Sequence, residues 1–232
     1  MEDELVAQLL DVDKNESVTS EASNRLAQIM RLRQITSGFL VGQNDERIAL
    51  TKNPKYEECD NLLEEIGPDK KVIIVGQFRE EIEGLLHRYK SRNAMAIYGD
   101  TDKSQIKPMI DRFQNDDVSQ IMIVNPAAAA HGITLTRAHY MIIVSLSYNM
   151  EHYFQVIKRM ERIGQKNRMV LYHLLALLND GTPTMDEDLV EILRIKQIGR
   201  DSLFNTTQNV ELDEDDIAKQ LEQKLIRRHN GR

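Results

Sequence analysis

Five short apolar runs, Val72–Val75, Ala94–Tyr98, Ile121–Val124, Tyr140–Val144 and Met169–Leu174, alternate with longer segments of helical periodicity. Each run is rich in β-branched and aliphatic residues almost throughout, rather than at every second position. A strand of that kind is buried on both faces, which calls for a parallel sheet with helices on each side. Phe78–Lys90, Gln105–Gln114 and Glu151–Ile163 are long enough to serve as crossovers, and a small-residue region at 126–132 makes a turn. The expected class is therefore α/β: an open, mostly parallel sheet of about five or six strands flanked by helices, with right-handed crossovers.

The flanks are less regular. Residues 1–16 read as a short helix running into the charged stretch DVDKNES. A second helix opens at Thr19 or Ser20, carries Ala22, Leu26, Ile29 and Met30 on one stripe with Arg25 and Arg31 opposite, and stops near Ser37-Gly38. Residues 41–53 form a loop or hairpin, Pro54 introduces a helix from Lys55 to Ile66, and Gly67-Pro68-Asp69 ends it. Beyond the sheet, Thr184 and Glu187 have capping-box spacing for a helix to about Gly199, with Leu189, Ile192, Leu193 and Lys196 at helical intervals. The last stretch, acidic and then basic, is either a helix that docks elsewhere or a disordered end. This gives a helical lead-in at 1–69, the sheet at 70–183, a packing helix at 184–204 and a charged tail at 205–232.

Composition narrows the setting. With 41% hydrophobic residues the 232-residue chain can build a full core, and with 5% aromatics and no Trp that core is aliphatic. The single cysteine, Cys59, leaves no internal disulfide and fits a reducing compartment. No apolar run reaches the length of a membrane span, and the start MEDELVAQLL is unlike a signal peptide. A cytoplasmic protein with no membrane partner is expected. The net charge of −7 is unevenly spread: 70–175 is basic by five while both flanks are acidic. That leaves room for one phosphate-facing surface. The six histidines and lone cysteine do not fall at metal-ligand spacing, so no metal residue is expected.

The segment with most chemistry is Gln155-Val-Ile-Lys-Arg159-Met-Glu-Arg162-Ile-Gly164-Gln165. On a continuous helix Gln155, Arg159 and Arg162 share a narrow face, and Val156, Met160 and Ile163 occupy the far side. Two guanidiniums and an amide are thereby presented from a helix whose other face is core. Guanidinium is always charged and donates bidentately, which suits a phosphate chain. An isolated R-x-x-R is usually only an exposed basic surface, so the context has to carry the reading.

That context resembles the second RecA-like lobe of superfamily-two helicases, and the form R-I-G-Q resembles the Swi/Snf-type group of double-stranded DNA translocases. The likeness covers roughly residues 20–204. Gln155–Gln165 resembles the family's motif VI, which implies that Arg159 and Arg162 are arginine fingers, the catalytic residues, with Gln155 beside them at the nucleotide. Asn125-Pro-Ala-Ala-Ala-Ala-His131-Gly132-Ile-Thr134-Leu-Thr136 resembles motif V, where small residues let backbone approach phosphate, and the resemblance implies that Gly132, free to take a positive φ, is with Gln155, Arg159 and Arg162 a cofactor-binding residue. Lys71-Val-Ile-Ile-Val-Gly-Gln77-Phe78 resembles motif IV, with Gln77 at the C-terminal end of a strand. By the same resemblance Gln77, Arg79 and Thr134 are expected to contact the DNA backbone. Gly99-Asp100 followed by Ile110-Asp-Arg112-Phe113-Gln114 matches the next stretch of the family, with Phe113 in the core. Leu32-Arg33-Gln34-Ile35 resembles the helix preceding the second lobe, although a solvated helix end would read the same way.

The sequence departs from the pattern in three places. Motif VI commonly has Asp-Arg-x-His-Arg where this chain has Lys158-Arg159-Met-Glu161-Arg162. The motif V loop is Ala-Ala-His-Gly rather than glycine-rich, which points to a phage or bacterial member and to the cytoplasm of a bacterium or infected host. There is also no G-x-x-x-x-G-K-[ST] and no acidic pair for Mg²⁺. The resemblance therefore implies half of an ATPase, a truncated or split gene product. It would bind ATP and Mg²⁺ only with an N-terminal RecA-like lobe, and act on duplex or branched DNA. The alternative is a stand-alone, non-catalytic lobe that binds DNA or complements a partner in trans.

Overall fold

In the computed structural model of the chain, the described residues are 27, 29–41, 46–50, 52–129, 133–147, 149–162, 165, 167–203, 220–221 and 223–224. Helix α1 (residues 29–36) ends at Gly38, whose φ of 91° a side chain would resist. An antiparallel hairpin follows, β1 (Phe39–Val41) with β2 (Arg47–Ala49). Asn53 then caps α2 (Pro54–Ile66), accepting the Lys55 N–H at 3.0 Å, and the missing N–H of Pro54 falls where a helix has no use for it. The expected hairpin, the helix start and the stop at Gly67 are all observed.

The five apolar runs form one sheet: β3 (Val72–Val75), β4 (Met95–Ile97), β5 (Ile121–Val124), β6 (Tyr140–Ile143) and β7 (Val170–His173). The order is β4-β5-β3-β6-β7 and every pairing is parallel. The crossovers contain α3 (Arg79–Arg88), α4 (Lys103–Asn115), the short α5 (Pro126–Ala129) and α6 (Met150–Met160). After β7 the chain enters α7 (Met185–Leu203), which runs past the expected end near Gly199. Thr184 caps α7 through the Asp186 N–H at 3.3 Å.

Alternation within each strand divides the core in two. Ile73, Val75, Met122, Val124, Met141 and Ile143 face the side covered by α1, α4, α6 and α7. Val72, Ile74, Ile121, Ile123 and Ile142 face α2 and α3. Ile73, Ile74, Met122, Ile123 and Ile142 have no exposed surface, and burying a side chain of this size contributes roughly 1.5–3 kcal/mol. Sandwiching between two helical layers explains why β3 and β5 are apolar at every position, whereas β7, partly buried throughout, admits His173. Of the tail, residues 220–221 and 223–224 are helical; Leu221 is fully buried, and Lys224 pairs with Glu191 of α7. Among the described residues no helix is long and apolar enough to cross a membrane.

Candidate functional site

All five strands point the same way, so their C-terminal ends make one rim, where α/β proteins bind ligands. Just past β3, the Gln77 N–H donates to both Glu81 Oε2 and Ser145 Oγ at 2.8 Å. The Gln77 carbonyl accepts from Asn125 Nδ2 at 2.8 Å, so the ends of β3, β5 and β6 are tied together through one residue. Gly76 makes this possible: a Cβ there would stand 3.0 Å from Ile82 Cγ1 and 3.1 Å from Glu81 Oε2. Arg79 begins α3 on the surface, shared between Glu83 and Asp100, each at 2.8 Å. Exposed pairs of this kind are worth little and can be exchanged for a phosphate.

Helix α6 is capped by Asn149, which accepts the His152 N–H at 3.1 Å. Val156 and Met160 are buried against the sheet as the spacing predicts. Gln155 and Arg159, four residues apart, lie on the half-exposed side, and Gln155 Nε2 donates to Glu151 at 2.7 Å. The expectation that Arg162 continues this helical face is not met. The helix stops at Met160, and Glu161 leaves it with ψ of 50°. The reason lies in the last turn: the Arg159 carbonyl, which a longer helix would offer to residue 163, accepts the Leu135 N–H at 3.1 Å instead. Arg162 is placed by a different contact, Nη1 to Thr134 Oγ1 at 2.8 Å.

Residues 133–138 are thus docked on the exit of α6, and two glutamines hold them from either side. Gln114 of α4 donates to the Thr134 carbonyl at 3.0 Å and accepts the Arg137 N–H at 2.9 Å. Gln165 donates to the carbonyls of Thr136 and Ala138 at 3.1 and 2.8 Å. The structure therefore joins Thr134 and Arg162 directly and adjoins Arg159 to the same segment. Gln77 and Arg79 sit apart from them, at the start of α3. Gly132, together with His131 and Gly164, lies outside the described residues.

The rim also holds buried charges that sequence reasoning missed or misplaced. Arg33, readable as a solvated helix end, is instead 5% exposed, over the Phe78 ring at 5.3 Å and donating to the Leu146 carbonyl. The α1 stripe facing the sheet is Ile29, Arg33 and Ser37, while Met30 is partly exposed. Lys55 is buried, with Nζ 2.9 Å from the Val144 carbonyl and 2.5 Å from Asp186 Oδ2. Glu81 is buried too, and desolvation pushes its carboxyl above the usual range against the hydrogen bond from Ser145 and the charge of Lys55. Helix-start positions for Lys55 and Glu81 gave no signal, because such residues are ordinarily solvated. Among the described residues no cluster of His, Cys, Asp and Glu could hold a metal ion.

Comparison with known proteins places this geometry. Residues 54–164 match the family described as helicase conserved C-terminal domain. A SWI/SNF-related matrix-associated actin-dependent regulator of chromatin subfamily A-like protein 1 homolog from Caenorhabditis elegans is 25% identical over 169 residues, 69% of this chain. The match spans only 24% of that relative's length. The Sulfolobus solfataricus SWI2/SNF2 ATPase C-terminal domain superposes with a TM-score of 0.65 at 16% identity, over 96% of this chain and 87% of that one. The Sulfolobus solfataricus SWI2/SNF2 ATPase core in complex with dsDNA gives 0.69 at 19% identity, over 96% of this chain and 45% of that one. At these identities the structures establish the fold, which is RecA-like.

Proposed function

We propose that this chain, whose residues 54–164 match the helicase conserved C-terminal domain, is a helicase C-terminal lobe of the Swi2/Snf2 type and the second motor lobe of an ATP-dependent double-stranded DNA translocase. In this reading Arg159 and Arg162 are the arginine fingers and Gln155 lies beside them at the nucleotide. Gln77, Arg79 and Thr134 contact the DNA backbone. ATP and Mg²⁺ bind jointly with an N-terminal RecA-like lobe, and this lobe supplies guanidinium charge to the phosphates. The Ala-Ala-His-Gly loop supports a phage or bacterial member of the group.

One observation carries the proposal. The segment after β5, expected on the DNA side, is docked on the exit of the arginine helix through Arg162 to Thr134 and Leu135 to the Arg159 carbonyl. A shift of Arg162 toward a nucleotide either carries Thr134 with it or gives up this exposed bond, and in both cases the contacts of Thr134 change. That is the coupling a translocase needs, because lobe closure on ATP must change the hold on DNA. Backbone contacts of this kind are insensitive to base sequence and weaken steeply with salt.

The test is DNA-stimulated ATPase activity of this chain alone and of a polypeptide extended upstream through a Walker-bearing lobe. Activity in the extended protein only, abolished by Arg159→Ala with DNA affinity retained, is the expected result. Turnover at the wild-type level in that variant removes the finger assignment. DNA binding without turnover in every form favours a non-catalytic lobe.

A further inference from the structure

We propose that Arg33 and Lys55 are positioning residues for α6: with Glu81 they fix the three consecutive residues through which β6 passes into that helix, and so set where Arg159 stands. The inference rests on the reading of α6 as the nucleotide-facing helix.

Val144 donates its N–H to the Val75 carbonyl at 3.0 Å as the chain leaves the sheet. Its own carbonyl is taken by Lys55 Nζ, reaching from α2. Ser145 Oγ donates to Glu81 Oε2 at 2.5 Å and accepts from the Gln77 N–H. The Leu146 carbonyl accepts from the Arg33 guanidinium, reaching from α1. Ser147 Oγ then accepts the Asn149 N–H at 3.0 Å, and Asn149 caps α6. Three elements thus each hold one residue of the junction, and all of these residues are buried.

The holding groups are fixed in turn. Arg33 lies over Phe78, and Lys55 is paired with Asp186 at the start of α7. Asp186 also accepts the Thr36 hydroxyl at 3.2 Å and the Ala176 N–H at 3.0 Å. Burying this much charge is expensive, and apolar side chains of similar volume would hold a fold as well. Charge-assisted bonds to two main-chain carbonyls add a single defined position for the chain that continues into α6. Because α1, α2 and α7 meet at these groups, displacing any of them displaces the arginine helix.

The test uses the complete ATPase, with this chain by itself in parallel. Lys55→Met removes the donor to Val144 and leaves Asp186 without its cation. Lys55→Met combined with Asp186→Asn removes both charges. Lys55→Met should lose thermal stability and the double variant regain most of it, while both keep kcat lowered by up to about 10²-fold at nearly unchanged KM for ATP. Arg33→Lys, which keeps the charge without the planar fork, should give a smaller fall. In the chain alone, amide hydrogen exchange across residues 149–160 should quicken by about tenfold or more in both Lys55 variants. It should stay slow in Ile121→Val, a core change at the start of β5, at the opposite end of the strands from the junction. Return of kcat and of slow exchange together with stability in the double variant overturns the proposal. If the complete wild-type protein has no DNA-stimulated ATPase, the reading of α6 fails, and the exchange result still decides the positioning.

Discussion

The two ends of α6 are held by different chemistry. At its entry, buried Arg33, Lys55 and Glu81 bind consecutive residues of the β6–α6 junction in a region closed to solvent. At its exit, Arg162, Thr134 and Gln165 form bonds that are exposed or only partly buried. A buried charge cannot give up its partner without leaving another charge bare, whereas an amide or hydroxyl near water exchanges partners at a cost of about 0.5–1.5 kcal/mol. The difference makes α6 a lever with a fixed base and an adjustable tip. The tip carries the guanidiniums.

The contrast can be broken most decisively at the entry. Asp186→Ala leaves Lys55 buried without its carboxylate and should cost about 3–5 kcal/mol in urea unfolding. A loss below about 1 kcal/mol would put the entry on a par with the exit. Gly76→Ala forces a Cβ against Ile82 and Glu81, and should destabilise by about 1–3 kcal/mol in the same assay. At the exit, Gln165→Ala removes three neutral bonds, to the carbonyls of Thr136 and Ala138 and from the exposed Asn167 N–H, and should cost about 1–2 kcal/mol. Thr134→Val should cost less still, under about 1 kcal/mol, while, on the proposed function, changing DNA-stimulated ATPase of the extended protein more than it changes stability. A stability loss as large as that of Asp186→Ala would mean that the tip is as rigid as the base.

Acid sharpens the comparison, because burial shifts two groups near α6 in opposite senses. His173 Nε2 lies 3.0 Å from the Tyr153 hydroxyl of α6, and burial lowers the His173 pKa below its ordinary 6.5. The unfolded chain therefore binds the proton first, and stability present above pH 6.5 declines as pH falls toward the depressed native value. Glu81 has the reverse sign: its raised value favours the folded state below pH 4.5, and that contribution is lost as pH rises through the native pKa. Comparing wild type with His173→Gln between pH 7 and 5 should show a steeper decline in the wild type, since His139, depressed by burial as well, contributes to both. Equal slopes would mean that His173 titrates alike in both states.

The strands were legible because a doubly covered parallel sheet demands apolar residues at every position, and Val72–Val75 and Ile121–Val124 obey that rule without exception. The exit of α6 was only half legible. A helical wheel places Gln155 and Arg159 correctly, but it cannot know that Leu135, distant in sequence, will claim the Arg159 carbonyl and end the helix before Arg162. The entry was nearly invisible. Lys55 after a proline and Glu81 in the first turn of α3 have the composition of solvated helix starts, and only the tertiary meeting of α1, α2, α3 and α7 buries them. Arg33 stood out as part of a family-like string, yet its periodicity with Ile29 was hidden by the habit of reading arginine as surface.

The strand order has a consequence for how the molecule is made. β3 is the central strand, but both of its neighbours come later in the chain: Val72 pairs with Ile121 and with Tyr140. During synthesis its apolar residues must wait for about fifty and then about seventy further residues, and such non-local parallel pairing folds slowly. One side has the larger early shelter. α2 precedes β3, packs on the face that holds Val72 and Ile74, and can cover it as soon as both have emerged. On the face of Ile73 and Val75 only Ile29 and Leu32 of α1 are already made, and α4, α6 and α7, which supply most of its cover, are still to come. A nascent chain halted before α6 is therefore expected to present that second face to any other unfinished copy on the same messenger, which makes this the side on which misassembly begins.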